Sequence, residues 1–180
     1  MKFTKGSTLQ KLGNLHKFSK TANTTLNKNR KDGICMKVKE CMCEEVYTCT
    51  PETTISQVAK IMCGNHIGCV PVCDEQQGVV GIVTDRDIIL RAVACDKEAT
   101  TTRVSDIMTS TTTCCEENAD VKEASKMMGE QQIRRLPVTD NGKLVGILTL
   151  GDLARHKNVG DSEVGKTAEC ICGCDDKNAE

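Results

Sequence analysis

Two stretches of the chain show the apolar spacing i, i+3, i+4, i+7 that is typical of an amphipathic helix. The positions are Ile55, Val58, Ala59 and Met62 in the first stretch, and Val121, Ala124, Ser125 and Met128 in the second. Thr54 with Gln57, and Asp120 with Glu123, stand just ahead and predict a capping box at each start. The pattern therefore predicts two equivalent helices.

Three β-branched or aliphatic runs in each half of the chain have the composition of short strands. In chain order they are VYTCT, CVPVC and GVVGIVT (46–50, 69–73 and 78–84), then STTTCC, RLPVT and KLVGILT (110–115, 135–139 and 143–149). A further helix is predicted from Asp85 to about Ala94, and another from Leu150 to about His156. Each half thus has the order strand, helix, strand, strand, helix.

The two halves are copies of one unit. Seven residues recur at an offset of 66: Val38, Met42, Met62, Ile67, Pro71, Val72 and Asp74 return as Val104, Met108, Met128, Ile133, Pro137, Val138 and Asp140. Three more recur at an offset of 65: Gly81, Thr84 and Asp87 return as Gly146, Thr149 and Asp152. The offset changes where EQQG becomes NG, in a turn that can lose a residue at little cost. Because the matching residues keep a constant offset on each side of this one-residue deletion, the two halves of the chain are a duplication.

One unit of about 60 residues buries only about 60% of its unfolded surface and is marginal alone. We therefore expect the two copies to pack sheet to sheet and to share a core, in an α/β fold. The predicted organisation is a basic, disordered extension (1–35), a first unit (36–98), a second unit (99–157) and a Cys-rich, disordered tail (158–180).

Each unit closes on a glycine, two aliphatics, a threonine and, three residues later, an aspartate. The motif reads GIVTDRD in the first copy and GILTLGD in the second. Together with the Pro-Val strands and the order of elements, it resembles the cystathionine beta-synthase (CBS) domain over roughly residues 36–156. Two such domains in tandem are often called a Bateman module. The resemblance implies pseudo-twofold symmetry, clefts between the units and a homodimer.

Two roles are open for the Thr–Asp turns. Thr84 with Asp87, and Thr149 with Asp152, fit a capping box. The same turns could hold a ligand, because glycine within a strand often marks a close approach and a helix N-terminus suits phosphate. An aspartate can also accept both hydroxyls of a ribose. We expect binding, beyond capping, for at least one copy.

The resemblance to CBS domains implies particular contacts with an adenosine-containing ligand. Thr84 and Thr149 would lie near the phosphates, and Asp87 and Asp152 would hold the ribose. Backbone and aliphatic groups before each proline would line the adenine. These segments are Ile67, Gly68, Cys69, Val70 and Pro71, and Ile133, Arg134, Arg135, Leu136 and Pro137. Arg86, Arg134 and Arg135 could also pair bidentately with phosphates.

The predicted function is therefore regulatory and non-catalytic. AMP, ADP or ATP, in preference to S-adenosylmethionine or NAD, would bind in the clefts and report to a separate regulated protein or through the homodimer. No cofactor is required, and no Ser–His–Asp or Cys–His pairing predicts catalysis. A structural interaction module with empty clefts is a further interpretation.

The main alternative is a thiol-rich metal or redox protein. The tail sequence CICGC offers Cys170, Cys172 and Cys174 as weak candidate ligands for Zn²⁺ or Cu(I), without the usual C-x-x-C spacing. Five other cysteines stand where a small apolar residue would serve: Cys49, Cys63, Cys69, Cys73 and Cys95. Residues 160–167 match the P-loop pattern G-x-x-x-x-G-K-T, but too little chain follows for the sheet and helix that a P-loop needs.

Charge and aromatic content exclude other classes. Residues 1–39 carry ten Lys/Arg and one acid, a charge of +9, so the other 141 residues carry about −10 to reach the total of −1. A short basic appendage is not a nucleic-acid-binding fold, and the whole chain has no Trp, one Tyr and two Phe on which bases could stack. No apolar run approaches the ~20 residues of a membrane span, and no signal-peptide core is present. We expect a cytoplasmic protein that starts natively at Met36, just before the repeat begins.

Overall fold

The computed structural model describes residues 17–18 and 36–173. The predictions for the extension 1–35 lie outside the described residues except at Lys17–Phe18, and Cys174 lies outside them too. Lys17–Phe18 form β1, which pairs antiparallel with β2 (Val46–Tyr47). In the described ranges, no helix has the length and apolarity that crossing a bilayer requires.

Each unit places two helices against a small sheet. After β2, the first unit contains α1 (Ile55–Asn65), β3 (Cys69–Cys73), β4 (Val79–Thr84) and α2 (Asp85–Arg91). The second contains β5 (Cys115–Glu116), α3 (Val121–Glu130), β6 (Arg135–Asp140), β7 (Lys143–Thr149) and α4 (Leu150–Arg155). The predicted α/β class and element order are confirmed, although the first strand of each unit is shorter than predicted.

The strand register repeats with the sequence. In the antiparallel pair β3–β4, Val72 lies opposite Gly81, and in β6–β7, Val138 lies opposite Gly146. Each pair has a bulge directly after that valine. The first strand of each unit runs parallel to the Pro-Val strand, through Cys49 opposite Val72 and through Cys115 opposite Val138. The pairing of the strands is therefore repeated in the two units, as the sequence duplication predicts.

The leading segments of the two units, before β2 and before β5, are exchanged between the units. Val38, in the leading segment of the first unit, is fully buried in the core of the second, and its backbone N–H donates to Ala119 O at 3.1 Å. Val104, in the leading segment of the second unit, is fully buried in the core of the first, and its backbone N–H donates to Thr53 O at 2.8 Å. The expected single shared core is thus corrected to two cores, each completed by the other unit's leading segment.

A third, smaller cluster joins the two sheets. Val46, Cys73 and Leu144 are buried together, between residues of both units. The hairpin tips also meet, because Leu144 N–H donates to Gln77 O at 3.1 Å. The shorter hairpin turns through Asn141 and Gly142, whose φ angles of 50° and 78° suit a two-residue type I′ turn.

Three of the four predicted capping boxes are present, at Thr54, Thr84 and Thr149. The fourth is wrong in detail. The Asp120 side chain caps α3 by accepting from Lys122 N at 2.9 Å, and Glu123 does not complete a box. An aspartate at the N-cap bonds the N2 amide here, whereas a box requires the N3 amide.

The tail contains a helix, which corrects the expectation of disorder for the described part of the tail, residues 158–173. Asp161–Cys172 form α5, which packs against α3 and α4. Its Val164 and Ile171 pack on the core of the second unit, and Thr167 is buried with Oγ1 donating to Glu163 O at 2.9 Å. The residues of the P-loop pattern are therefore helical, and Lys166 and Thr167 are not part of a phosphate-binding loop.

Candidate functional site

The two Thr–Asp turns have nearly identical geometry. Oδ2 of Asp87 accepts from Thr84 N at 2.9 Å and from Thr84 Oγ1 at 2.7 Å. Oδ2 of Asp152 accepts from Thr149 N at 2.9 Å and from Thr149 Oγ1 at 2.6 Å. Each threonine hydroxyl also accepts from the backbone N–H of its aspartate at 3.1 Å. The capping interpretation is confirmed for both turns.

The second oxygen of each carboxylate faces an arginine. Oδ1 of Asp152 lies 2.6 Å from Nη2 of Arg155, three residues further along α4. Oδ1 of Asp87 lies 3.3 Å from Nη1 of Arg91, four residues further along α2. Both oxygens of each carboxylate therefore already have a partner within the same turn and helix.

A groove of about 350 Å³ lies between the units at the second turn. It contains seven of the predicted site residues, four from the first unit and three from the second: Ile67, Gly68, Cys69 and Pro71, with Arg135, Thr149 and Asp152. The Thr–Asp turn of one unit thus faces the strand that precedes the proline of the other. The exchange of leading segments holds the two units side by side, so residues of both units line the same groove.

The other predicted residues do not line this groove. The side chains of Val70 and Leu136 are fully buried in the cores of their units, so of the predicted backbone and aliphatic contacts with adenine only those of the backbone are open to these two residues. Pro137 is also buried, whereas Arg86 and Arg134 are exposed. The remaining members, Thr84, Asp87 and Ile133, are partly buried away from the groove.

Because residue 68 is a glycine, other side chains can lie close to the backbone of the groove at this position. A Cβ at this position would lie 2.8 Å from Asp85 Oδ2 and 3.0 Å from Arg135 Nη2. The missing side chain therefore lets the guanidinium of the second unit lie directly over β3 of the first. That places a fixed positive charge at the start of β3.

Gly81 and Gly146 were expected to mark the close approach of a ligand, but the atoms that lie close to them belong to the protein. A Cβ on Gly81 would lie 2.7 Å from Met108 Sδ, and one on Gly146 would lie 2.5 Å from Met42 Sδ. Both methionines belong to the exchanged segments, and the carbonyls of Thr109 and Cys43 lie at 3.0 and 3.1 Å. These strand glycines admit a protein segment, so they are not evidence for a ligand.

Cys69 contributes a neutral surface to the groove. Burial raises the pKa of its thiol to about 11; the nearby Arg135 lowers this pKa and Asp85 raises it. The thiol is therefore protonated at neutral pH and behaves as a small apolar group, which suits contact with a planar base.

The cysteines do not assemble a metal site in the described part of the chain, where no group of three or more His, Cys, Asp or Glu is placed to hold an ion. Cys170 and Cys172 lie on α5, where positions two residues apart are separated by about 200° around the helix axis. Their side chains therefore diverge, and the backbone of α5 prevents the pair from chelating.

Seven residues of the groove were missed by the sequence analysis: Cys43, Glu45, Val46, Tyr47, His66, Ile147 and Arg155. Tyr47 carried a usable signal, because it is the single tyrosine of a chain without tryptophan. His66 is exposed and lies at the groove as the left-handed C-cap of α1.

The fold and the groove define a module that binds a small molecule between two repeated α/β units. The family model described as "CBS domain" matches residues 38–94 and 104–158, more than half of the chain. The chain therefore belongs to the CBS domain family and carries two CBS domains in tandem. Such a pair is a regulatory ligand-binding module.

Two curated relatives span most of the pair. Uncharacterized protein YlbB of Bacillus subtilis is 41% identical over 119 residues, which are 66% of this chain and 80% of YlbB. Hypoxic response protein 1 of Mycobacterium tuberculosis is 34% identical over 110 residues, 61% of this chain and 77% of that protein.

Three solved structures are similar. Hypoxic Response Protein I with two coordinated zinc ions has a TM-score of 0.63 at 30% identity, covering 67% of this chain and 98% of that one. The CBS pair of MJ0100, in complex with 5-methylthioadenosine and S-adenosylmethionine, has 0.62 at 29%, covering 68% and 95%. CBSX2 in complex with AMP has 0.58 at 28%, covering 66% and 93%.

Proposed function

We propose that the chain binds an adenosine-containing ligand of the AMP, ADP or ATP class in the groove at Asp152, and that occupancy regulates a separate protein. The observation that carries the proposal is the groove itself. One Thr–Asp turn and the Gly68–Cys69 strand start of the other unit face each other across a space of the size that encloses small ligands.

The chemistry of the lining suits a nucleotide in each of its parts. Ile67, the neutral thiol of Cys69 and the ring of Tyr47 offer apolar surface for the base. Asp152 offers oxygens to a sugar diol, and Arg135 and Arg155 offer cations to phosphate. The solved complexes of MJ0100 and CBSX2 contain adenosine derivatives, which supports the same ligand class for this chain.

We propose a regulatory role without catalysis for this groove. Both oxygens of Asp152 already accept hydrogen bonds, from Thr149 and Arg155, so neither oxygen can take a proton from a substrate without giving up one of these bonds. The thiol-metal alternative has less support, because Cys170 and Cys172 diverge on α5. The two coordinated zinc ions of Hypoxic Response Protein I are a property of that protein.

Replacing Asp152 with alanine is expected to weaken ligand binding about 10- to 100-fold, since a hydrogen bond to a charged group is worth about 1.5–3 kcal/mol. Isothermal titration calorimetry with AMP, ATP, 5-methylthioadenosine and S-adenosylmethionine measures this directly. The fluorescence of Tyr47 gives a second signal from the groove, because the chain has no other tyrosine and no tryptophan.

Asp120→Ala is the matched control. It also removes an N-cap, at a cost of about 0.5–2 kcal/mol of stability, but at α3, away from the groove. Its affinity should equal that of the wild type. Absence of heat and of a fluorescence change with all four compounds would refute the proposed ligand class.

We also propose a homodimer formed through α2. Ile89, Leu90 and Val93 are large apolar residues exposed to 58%, 50% and 65% on one helical surface. Contiguous exposed apolar residues mark association surfaces in soluble proteins. The corresponding helix of the second unit is α4, which packs against α5.

The double variant Ile89→Lys, Val93→Lys should shift the protein from dimer to monomer in sedimentation equilibrium, because two buried charges oppose each other across a twofold interface. Ala154→Lys is the control, since Ala154 is the exposed counterpart of Ile89 on α4. An unchanged dimer in the double variant would place the interface elsewhere.

A further inference from the structure

We infer that the two Thr–Asp turns have diverged in role: Asp152 holds the ligand, Asp87 is a structural clamp, and each chain therefore binds one ligand. The inference rests on the proposed function and specifies its site. The repeat predicts two equivalent sites, and the difference between them lies in how each aspartate's arginine is held.

The guanidinium of Arg91 has partners on two segments of the chain. Its guanidinium faces Asp87 and also donates to Ile107 O at 2.8 Å and to Thr109 Oγ1 at 3.2 Å. Ile107 and Thr109 belong to the exchanged segment ahead of the second unit, and Ile107 is buried in the core of the first. The arginine thus ties α2 to that segment. Arg91 therefore cannot turn from Asp87 toward a ligand phosphate without breaking its bonds to that segment.

Arg155 is held by Asp152 alone among the described residues. It donates to Asp152 Oδ1 at 2.6 Å, and its side chain is 76% exposed, against 48% for Arg91. Exposed ion pairs of this kind contribute little to stability. Arg155 can therefore turn from the carboxylate toward a ligand phosphate and leave Oδ1 for a sugar hydroxyl.

The position of the arginine on the helix explains the difference. Arg91 is four residues after its aspartate and Arg155 is three residues after its own, which separates them by about 100° around the helix axis. Arg91 consequently reaches the exchanged segment, whereas Arg155 lines the groove. The counterpart of Arg155 in the first unit, at the offset of 65, is Leu90, which is apolar.

The residues at equivalent repeat positions around the two turns also differ. At the offset of 66, Tyr47 corresponds to Thr113 and Gly68 to Arg134. Gly68 borders the first turn as well, because Asp85 N–H donates to Gly68 O at 3.3 Å, so this glycine does not distinguish the two turns. The aromatic ring does: Tyr47 lines the groove at the Asp152 turn, and its counterpart Thr113 offers no ring.

The test is calorimetric stoichiometry on the full chain, with AMP and S-adenosylmethionine as separate probes. We expect one ligand per chain. Asp152→Asn should lower the affinity at least about tenfold, as loss of one charged hydrogen bond does. Asp87→Asn should change the affinity by less than about twofold, a difference below ~0.5 kcal/mol, while lowering the melting temperature.

Arg91→Gln breaks the clamp without altering Asp87, and it serves if Asp87→Asn does not fold. It too should keep wild-type affinity at one site per chain. Two ligands per chain, or an equal loss of affinity in the Asp87 and Asp152 variants, would overturn this inference and leave the proposed function intact. Absence of binding by both probes would overturn the proposed function, and the inference with it.

Discussion

Replacing Gly146 with valine is expected to lower the free energy of unfolding by about 3 kcal/mol, at the upper end of the usual cost of overpacking a core. The first added carbon would lie 2.5 Å from Met42 Sδ and 3.1 Å from Cys43 O. Methionine can move aside, but the carbonyl is fixed by its bond with the Ile147 N–H at 3.0 Å. The strand and the exchanged segment must therefore separate.

Chemical denaturation followed by circular dichroism measures this loss. Gly64→Ala is the matched control, because Gly64 lies within α1 with no atom within 4 Å of an added Cβ. Alanine there should stabilise the protein, by up to about 1 kcal/mol, through its higher helix propensity. Wild-type stability of the Gly146 variant would show that the exchanged segment does not pack against β7 in solution.

The elements of this fold were largely predictable because their signals are local. CVPVC and KLVGILT coincide with β3 and β7 to the residue, and the capping threonines 54, 84 and 149 were read correctly. Strand composition and a cap followed three residues later by an acid or amide depend only on nearby positions. These features are therefore the same whichever way the two units are arranged relative to each other.

The exchange of leading segments left no signal in the sequence. Val38 and Val104 occupy equivalent repeat positions, and equivalence is the same whether each valine packs in its own unit or in the other one. Only the contacts with Ala119 and Thr53 distinguish the two arrangements. For the same reason, the sequence could not show that the Asp152 turn faces Gly68 of the other unit in addition to Arg135 at the strand start of its own unit.

Helix α5 was missed although a signal was present. Val164, Thr167, Ala168 and Ile171 have the spacing i, i+3, i+4, i+7, and all four are buried or partly buried. The P-loop pattern and the cysteines of the same segment drew the interpretation toward chemistry. The periodicity of the apolar and small residues was the better guide, because packing determines whether a segment of this length is helical.

Removing residues 158–180 is expected to destabilise the protein by about 3 kcal/mol and to leave ligand affinity unchanged. Val159, Val164 and Ile171 pack partly buried on the second core, and a fully buried aliphatic side chain contributes about 1.5–3 kcal/mol. The groove residues end at Arg155, before the truncation. Thermal unfolding and AMP calorimetry on the truncated chain measure the two effects separately.

Lys166→Ala separates this expectation from a P-loop. A phosphate-binding loop would lose its central cation and most of its nucleotide affinity in this variant. Lys166 is exposed on α5, so both the stability and the affinity should stay at wild-type values. If the truncated chain folds but loses its ligand, α5 contributes to binding; if it keeps wild-type stability, α5 does not pack on the second unit. We expect lowered stability together with unchanged affinity, because α5 packs on the second core and none of its residues lines the groove.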